Sequence, residues 1–161
     1  MADVMLTIDR IAVCAPFDRV FAVAADVEAW PGILPHYRWV RTLERRPSGG
    51  GALVEMAAWR PFGPMRWPTW WVSEMSVHPE SREIRYRHVR GITSGMDVVW
   101  RMAQGSAGVA IELEHRWTGP RWPVIGAFAA TAVIGPVFVH GIASRTLAGL
   151  KAYLEKRKGN P

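Results

Sequence analysis

A second cysteine is missing. Cys14 stands alone among 161 residues, so no disulfide can form within the chain, and nothing calls for an oxidising compartment. Metal-ligand spacing is missing too. His36, His78, His88, His115 and His140 are dispersed, and no Cys pair completes a site. No metal and no cofactor are therefore expected. Ser48-Gly49-Gly50-Gly51 has neither a following helix nor a Lys, which excludes a phosphate-cradling loop. Carboxylates are few, 14 Asp and Glu against 20 Lys and Arg. Glu55, Glu74, Glu112 and Glu114 fall at alternating strand positions and read as outer-face charges, not as paired catalytic acids.

The net charge of +6 permits nucleic acid or an anionic membrane as a partner. The basic residues form no long run, however. Arg38, Arg41, Arg45 and Arg46 are spaced among other residues, as are Arg82, Arg85, Arg87 and Arg90. They read as solvated faces of strands, and no nucleic-acid partner is expected. Asp3, Asp9 and Arg10 break the N-terminal run early, so no secretory leader is read there and a cytoplasmic location is expected. Between Arg121 and Arg145 there is no charged residue. That stretch passes the length criterion of roughly 18–20 apolar residues for a bilayer span. Pro123, Gly126, Gly135 and Pro136 interrupt it, and a helix buried over a sheet reads the same way. The buried helix is the expectation, with peripheral membrane contact allowed.

What the chain has in excess is tryptophan. Nine Trp sit in a sequence that is 49% apolar, enough for one core and a cavity besides. Trp carries one N–H and a large apolar face, and pockets favour such walls.

The pattern along the chain predicts one domain over residues 1–161. A first strand covers about 4–14. Pro16 then opens a short helix that carries Phe17, Val20, Phe21 and Ala24. Asp26 is expected to cap a second short helix holding Trp30. Strands follow at about 37–46 and 52–59, then a Pro/Gly-rich loop at 60–68, then strands at about 69–77, 83–90, 95–103 and 108–118. The remainder, to about Lys158, is expected to be helical with a kink at Gly135-Pro136. Strands followed by a helix make an α+β fold. On the fourth strand Thr69, Trp71, Ser73, Met75 and Val77 share one face. Met96, Val98, Trp100 and Met102 align later, as do Val109, Ile111, Leu113, His115 and Trp117.

Ala15-Pro16-Phe17, Val20-Phe21 and Asp26-Val27-Glu28-Ala29-Trp30-Pro31, in this element order, resemble the helix-grip superfamily. That superfamily includes START domains, Bet v 1-like proteins and polyketide cyclases. Trp70-Trp71-Val72-Ser73, and Arg85-Tyr86-Arg87-His88-Val89 with Val99-Trp100, carry a closer resemblance to bacterial aromatic polyketide aromatase/cyclases. The resemblance spans roughly residues 4–118. It implies a helix-grip fold: a curved antiparallel sheet of about seven strands around a long C-terminal helix, with two short helices closing one end. It also implies an internal cavity for a hydrophobic small molecule. Trp30, Leu34, Tyr37, Met56, Trp71, Ser73, Met75, Trp100, Leu113 and Phe128 are its expected ligand-binding residues. Two departures stand out. Where the family places an Arg two residues beyond the Ser of the central strand, this chain has Met75, which cannot donate a proton. The stretch from Arg121 to Ser144 is also longer and greasier than the family's link.

Aldol cyclisation and dehydration need an acid or base within reach. His88, His115 and Tyr86 are the candidates on inward strand positions. Three functions remain open at this level: a polyketide cyclase/aromatase-like enzyme, a non-catalytic carrier of a lipid or quinone, or a membrane-associated protein anchored by residues 122–144. A monomer or homodimer suits any of them.

Overall fold

The computed structural model describes residues 4–47, 51–62, 64–119 and 139–156. Its elements run β1 (Met5–Val13), α1 (Phe17–Ala25), a 3-10 turn (Val27–Ala29), α2 (Trp30–Ile33), β2 (Tyr37–Arg45), β3 (Gly51–Phe62), β4 (Met65–His78), β5 (Glu83–Gly91), β6 (Asp97–Gly105), β7 (Gly108–Trp117) and α3 (His140–Lys156). The seven strands form one antiparallel sheet in the order β1-β7-β6-β5-β4-β3-β2. After β1 the chain crosses by the short helices to the far edge, then meanders back until β7 pairs with β1. The α+β class and the helix-grip arrangement expected from the sequence are what the structure shows.

Alternation sorts the sheet into two faces. Val13, Ile111, Leu113, Trp100, Ile84, Tyr86 and Met56 are buried on the concave side. The outer side carries ion pairs. Arg101 reaches Glu83, Glu112 and Glu114 at 3.4, 3.4 and 3.0 Å, and Arg87 reaches Asp97 at 2.7 Å. These pairs are largely solvated, so each adds little stability, but together they mark which face is outside. Register shifts put an extra residue on β2 at Arg38 and Leu43 and on β5 at Val89, opposite Val72/Ser73, and bend those strands.

Helix α3 lies over the concave face with Ala143, Leu147, Leu150 and Leu154 buried, a stripe at helical spacing. Polar ties fix it to β1. Lys151 Nζ donates to the Ala12 carbonyl at 2.7 Å, Glu155 accepts from the Cys14 amide at 2.9 Å, and His140 Nδ1 lies 2.5 Å from Asp9.

Two expectations change, and a third lies outside the described residues. Residues 60–68 are not a loop: β3 runs to Phe62 and β4 starts at Met65, with Arg60 opposite Trp67 and Pro61 opposite Arg66. The prolines are tolerated because β2 pairs only as far as Ala58 and β5 only as far as Trp71. Beyond those points each strand of the hairpin has one neighbour, so a missing N–H on the free side is harmless. Asp26 makes no side-chain cap; its own amide closes α1 on the Ala22 carbonyl. Glu28 instead accepts from the Thr42 amide and the Arg45 guanidinium, pinning the crossover to β2. Finally, the C-terminal helix is seen from His140. Residues 120–138, with Phe128 and the Gly135-Pro136 step, lie outside the described residues. Among the described residues no helix is long and apolar enough to cross a membrane.

Gly91 ends β5 opposite Trp71 with φ of +99°. A Cβ there would meet the Trp70 carbonyl oxygen at 2.5 Å. Gly91→Ala combines a disfavoured backbone with a backbone clash, so it should destabilise the fold by more than about 1 kcal/mol. The urea midpoint of unfolding measures this.

Candidate functional site

The space between the sheet and α3 is a cavity with an interior volume of about 70 Å³. Each element contributes walls. Trp30 comes from α2, Tyr37 from β2, Met56 from β3 and Trp71 from β4. Tyr86 and His88 come from β5, Thr93 and Met96 from the following loop, and Val98 and Trp100 from β6. β7 supplies Leu113 and His115, and the roof is Val139, Ile142, Ala143 and Thr146. A wider dent of about 390 Å³ lies among Arg85, Arg87, Asp97 and Arg101. Those side chains belong to the ion-paired outer face, so the smaller, apolar cavity is the better site.

Aromatic rings form a continuous wall. Trp100 meets Trp30 at 5.7 Å between centroids, Trp30 meets Tyr37 edge-on at 5.2 Å, and Tyr37 meets Trp71 at 6.3 Å. Trp71 then stacks on His88 at 5.7 Å with planes 4° apart. Edge and offset contacts of this kind hold the rings in place beyond their buried area. Trp30 also donates its indole N–H to the Val23 carbonyl at 3.2 Å, which ties the wall to α1.

The polar groups divide into satisfied and unsatisfied ones. His88 Nδ1 lies 2.6 Å from the Thr93 hydroxyl. Its backbone exchanges hydrogen bonds with the same loop, His88 N to Met96 O and Gly95 N to His88 O. The Thr146 hydroxyl lies 2.9 Å from the Ile142 carbonyl, 3.0 Å from His36 Nε2 and 3.4 Å from the Tyr37 hydroxyl. It has one proton to give. Given to Ile142, it leaves Thr146 to accept from the other two. By contrast the Tyr86 hydroxyl and His115 Nδ1 are buried without a partner among the described residues. Both residues pair with Val98, from its two sides. Two inter-strand spacings put their backbones roughly 10 Å apart.

Burial decides protonation. It holds His88 at about 3, with His115 pushing the same way, and holds His115 itself at about 3. His36 falls to about 4, through burial and the charge of Arg145. Tyr37 rises to about 12, with Thr146 offsetting part of the burial, and Tyr86 rises well above the usual phenol range. Every titratable group on the cavity wall is therefore uncharged near neutral pH.

Of the residues singled out by sequence, Trp30, Tyr37, Met56, Trp71, Tyr86, His88, Trp100, Leu113 and His115 line this cavity. Three others do not. Leu34 is fully buried against α3 at Gly149. Ser73 is fully buried opposite His88 with its hydroxyl unpartnered, but it is not on the wall. Met75 shares the face of Trp71, since the β3–β4 register runs unbroken from Ala52↔Met75 to Met56↔Trp71, but it lies further along β4, beside Val27, Val54 and Val77 in a gap beneath the 3-10 turn. Phe128 lies outside the described residues. Thr93 and the α3 residues were missed. The spacing of Val139, Ile142, Ala143 and Thr146 was a readable helical signal, whereas Thr93 sits in a turn and left none. Among the described residues no group of His, Cys, Asp or Glu could hold a metal.

The family described as "Polyketide cyclase / dehydrase and lipid transport" matches residues 13–136. Solved structures share the fold. The Zhui aromatase/cyclase from a Streptomyces species superposes with a TM-score of 0.74 at 22% identity, covering 97% of this chain and 96% of that one. A START superfamily protein from Mycobacterium smegmatis gives 0.70 at 14%, covering 95% and 99%. The di-domain ARO/CYC StfQ of the steffimycin pathway gives 0.76 at 18% identity; 98% of this chain is covered, but it spans 52% of StfQ.

His88 and His115 predict an acid-sensitive fold. Above about pH 6.5 each is neutral folded and unfolded, and costs nothing. As pH falls, the unfolded chain takes up these protons and the native state does not until about pH 3. Stability should fall through that window by up to about 1.4 kcal/mol per pH unit per histidine. Urea unfolding from pH 7 to 4 measures the slope, and His88→Gln with His115→Gln should flatten it.

Proposed function

Because the chain belongs to the polyketide cyclase/dehydrase and lipid transport family, we propose that it binds a hydrophobic, aromatic or polyketide-like small molecule in the cavity under α3. The observation that carries this reading is the wall of three Trp and two Tyr, with the Tyr86 hydroxyl and His115 Nδ1 left unpartnered. A buried polar atom without a partner costs about 1–3 kcal/mol. A ligand that supplies the partner recovers that cost.

The cavity constrains how binding works. About 70 Å³ is less than the roughly 150 Å³ that holds benzene in an apolar cavity. A ring-bearing ligand therefore has to displace wall side chains. Met56 and Met96 are suited to this, since methionine repacks at low cost.

As a cyclase, the protein would hold a poly-β-ketone folded so that the reacting carbons meet, which is the larger share of the catalysis available to it. Tyr86 would donate to a ketone oxygen, and the neutral imidazole of His88 or His115 would take a proton from the adjacent carbon and return it to the leaving hydroxyl. Held at about 3, these imidazoles are weak bases. That observation favours a second reading, a carrier that binds without chemistry. For a carrier, the surface that supports membrane contact is the β3–β4 hairpin end, where Met65 and Trp67 are exposed on either side of Arg66.

Native mass spectrometry of the freshly purified protein, with aromatic ketones, quinones and lipids added, tests the binding reading; no retained species would overturn it. Trp71→Ala should weaken retention at least about tenfold. Incubation with a reactive poly-β-ketone surrogate separates the two readings, since only an enzyme changes the products formed.

A further inference from the structure

Because no charged side chain lines it among the described residues, we infer that the cavity selects electrically neutral ligands carrying a ketone or similar acceptor beside an aromatic ring, and rejects carboxylates. This rests on the binding reading above and narrows its ligand class.

The chain carries 34 charged side chains, 20 basic and 14 acidic. Among the described residues no Asp, Glu, Lys or Arg lines the cavity. The polar groups that do line it are phenols, imidazoles and hydroxyls. Arg145 acts on His36, which lies behind Thr146 and not on the wall. An anionic headgroup inside would therefore find hydrogen bonds but no opposite charge. Burying an ion without one costs several kcal/mol even after relaxation.

The unpartnered atoms set the second requirement. The Tyr86 hydroxyl is a donor with nothing to receive its proton, and a carbonyl oxygen fits it. His115 Nδ1, on a strand whose backbone lies roughly 10 Å from that of Tyr86, is a second polar point on the same wall. A planar molecule with a ketone at one end meets Tyr86 while its ring lies along Trp71 and Trp100.

A carboxylate can evade the penalty only by taking up a proton first. With a pKa roughly three units below neutral, that alone weakens binding by up to about a thousandfold at pH 7. This predicts a pH dependence that belongs to the ligand. Tyr37, Tyr86, His88 and His115, the titratable groups facing the cavity, do not change charge between pH 7 and 6.

The test compares two near-isosteric probes, 2-acetylnaphthalene and 2-naphthoate, by quenching of tryptophan fluorescence in the intact protein. The ketone should bind at least about a hundredfold more tightly at pH 7. Naphthoate should gain about tenfold from pH 7 to 6 while the ketone does not change. Tyr86→Phe should weaken the ketone about fivefold and leave unsubstituted naphthalene unaffected. Naphthoate binding as tightly as the ketone, with no gain at pH 6, overturns the selection and leaves the binding reading standing. Binding of neither probe, nor of naphthalene, overturns the binding reading and this inference with it.

Discussion

The cost of burying charge governs the concave side of this protein. Seven strands curve around one helix, and most side chains between them are withdrawn from water. Ionised groups cannot stay there unpaired, so the residues present are those that can be neutral. His88 and His115 are held near 3, and Tyr86 well above its usual range, by the same desolvation. Apolar walls, neutral imidazoles and the preference for an uncharged ligand are three expressions of one constraint.

The outer face shows the complement. Arg101 with Glu83, Glu112 and Glu114 forms a network over β5, β6 and β7, on the sides of those strands that water reaches. The ties at the ends of α3 occupy the boundary between the two regimes. Lys151 and Glu155 anchor its C-terminal part to the Ala12–Cys14 turn, and His140 meets Asp9 at its start. The helix is thus fixed where it can be solvated and apolar where it covers the cavity. Widening for a ligand is therefore left to the wall side chains.

Within the cavity, order is unevenly distributed. The ring wall from Trp100 to His88 is braced by successive contacts and by the Trp30 indole bond. His88 is braced again by the loop from Gly91 to Met96, through both its backbone and Thr93. Tyr86 and His115 have no such support. The unpartnered polar atoms of the wall thus lie on β5 and β7, and its braced rings are mainly the tryptophans.

The sequence by itself determined the class of fold, because alternation along six strands and turn residues between them admit few other arrangements. It also supplied most of the wall: Trp71, Tyr86, Trp100, Leu113 and His115 follow from which face of each strand is apolar. It put Met75 and Ser73 on the inner face of β4 but could not tell how far along that face the cavity reaches, since that depends on where α3 and the short helices pack. It read the β3–β4 extension as a loop, because proline is forbidden in a central strand and only the sheet reveals that the neighbours stop short. Nor could it tell that the two histidines are weak bases. Imidazole titrates near neutrality in water, and only the packing of the sheet against α3 removes that water.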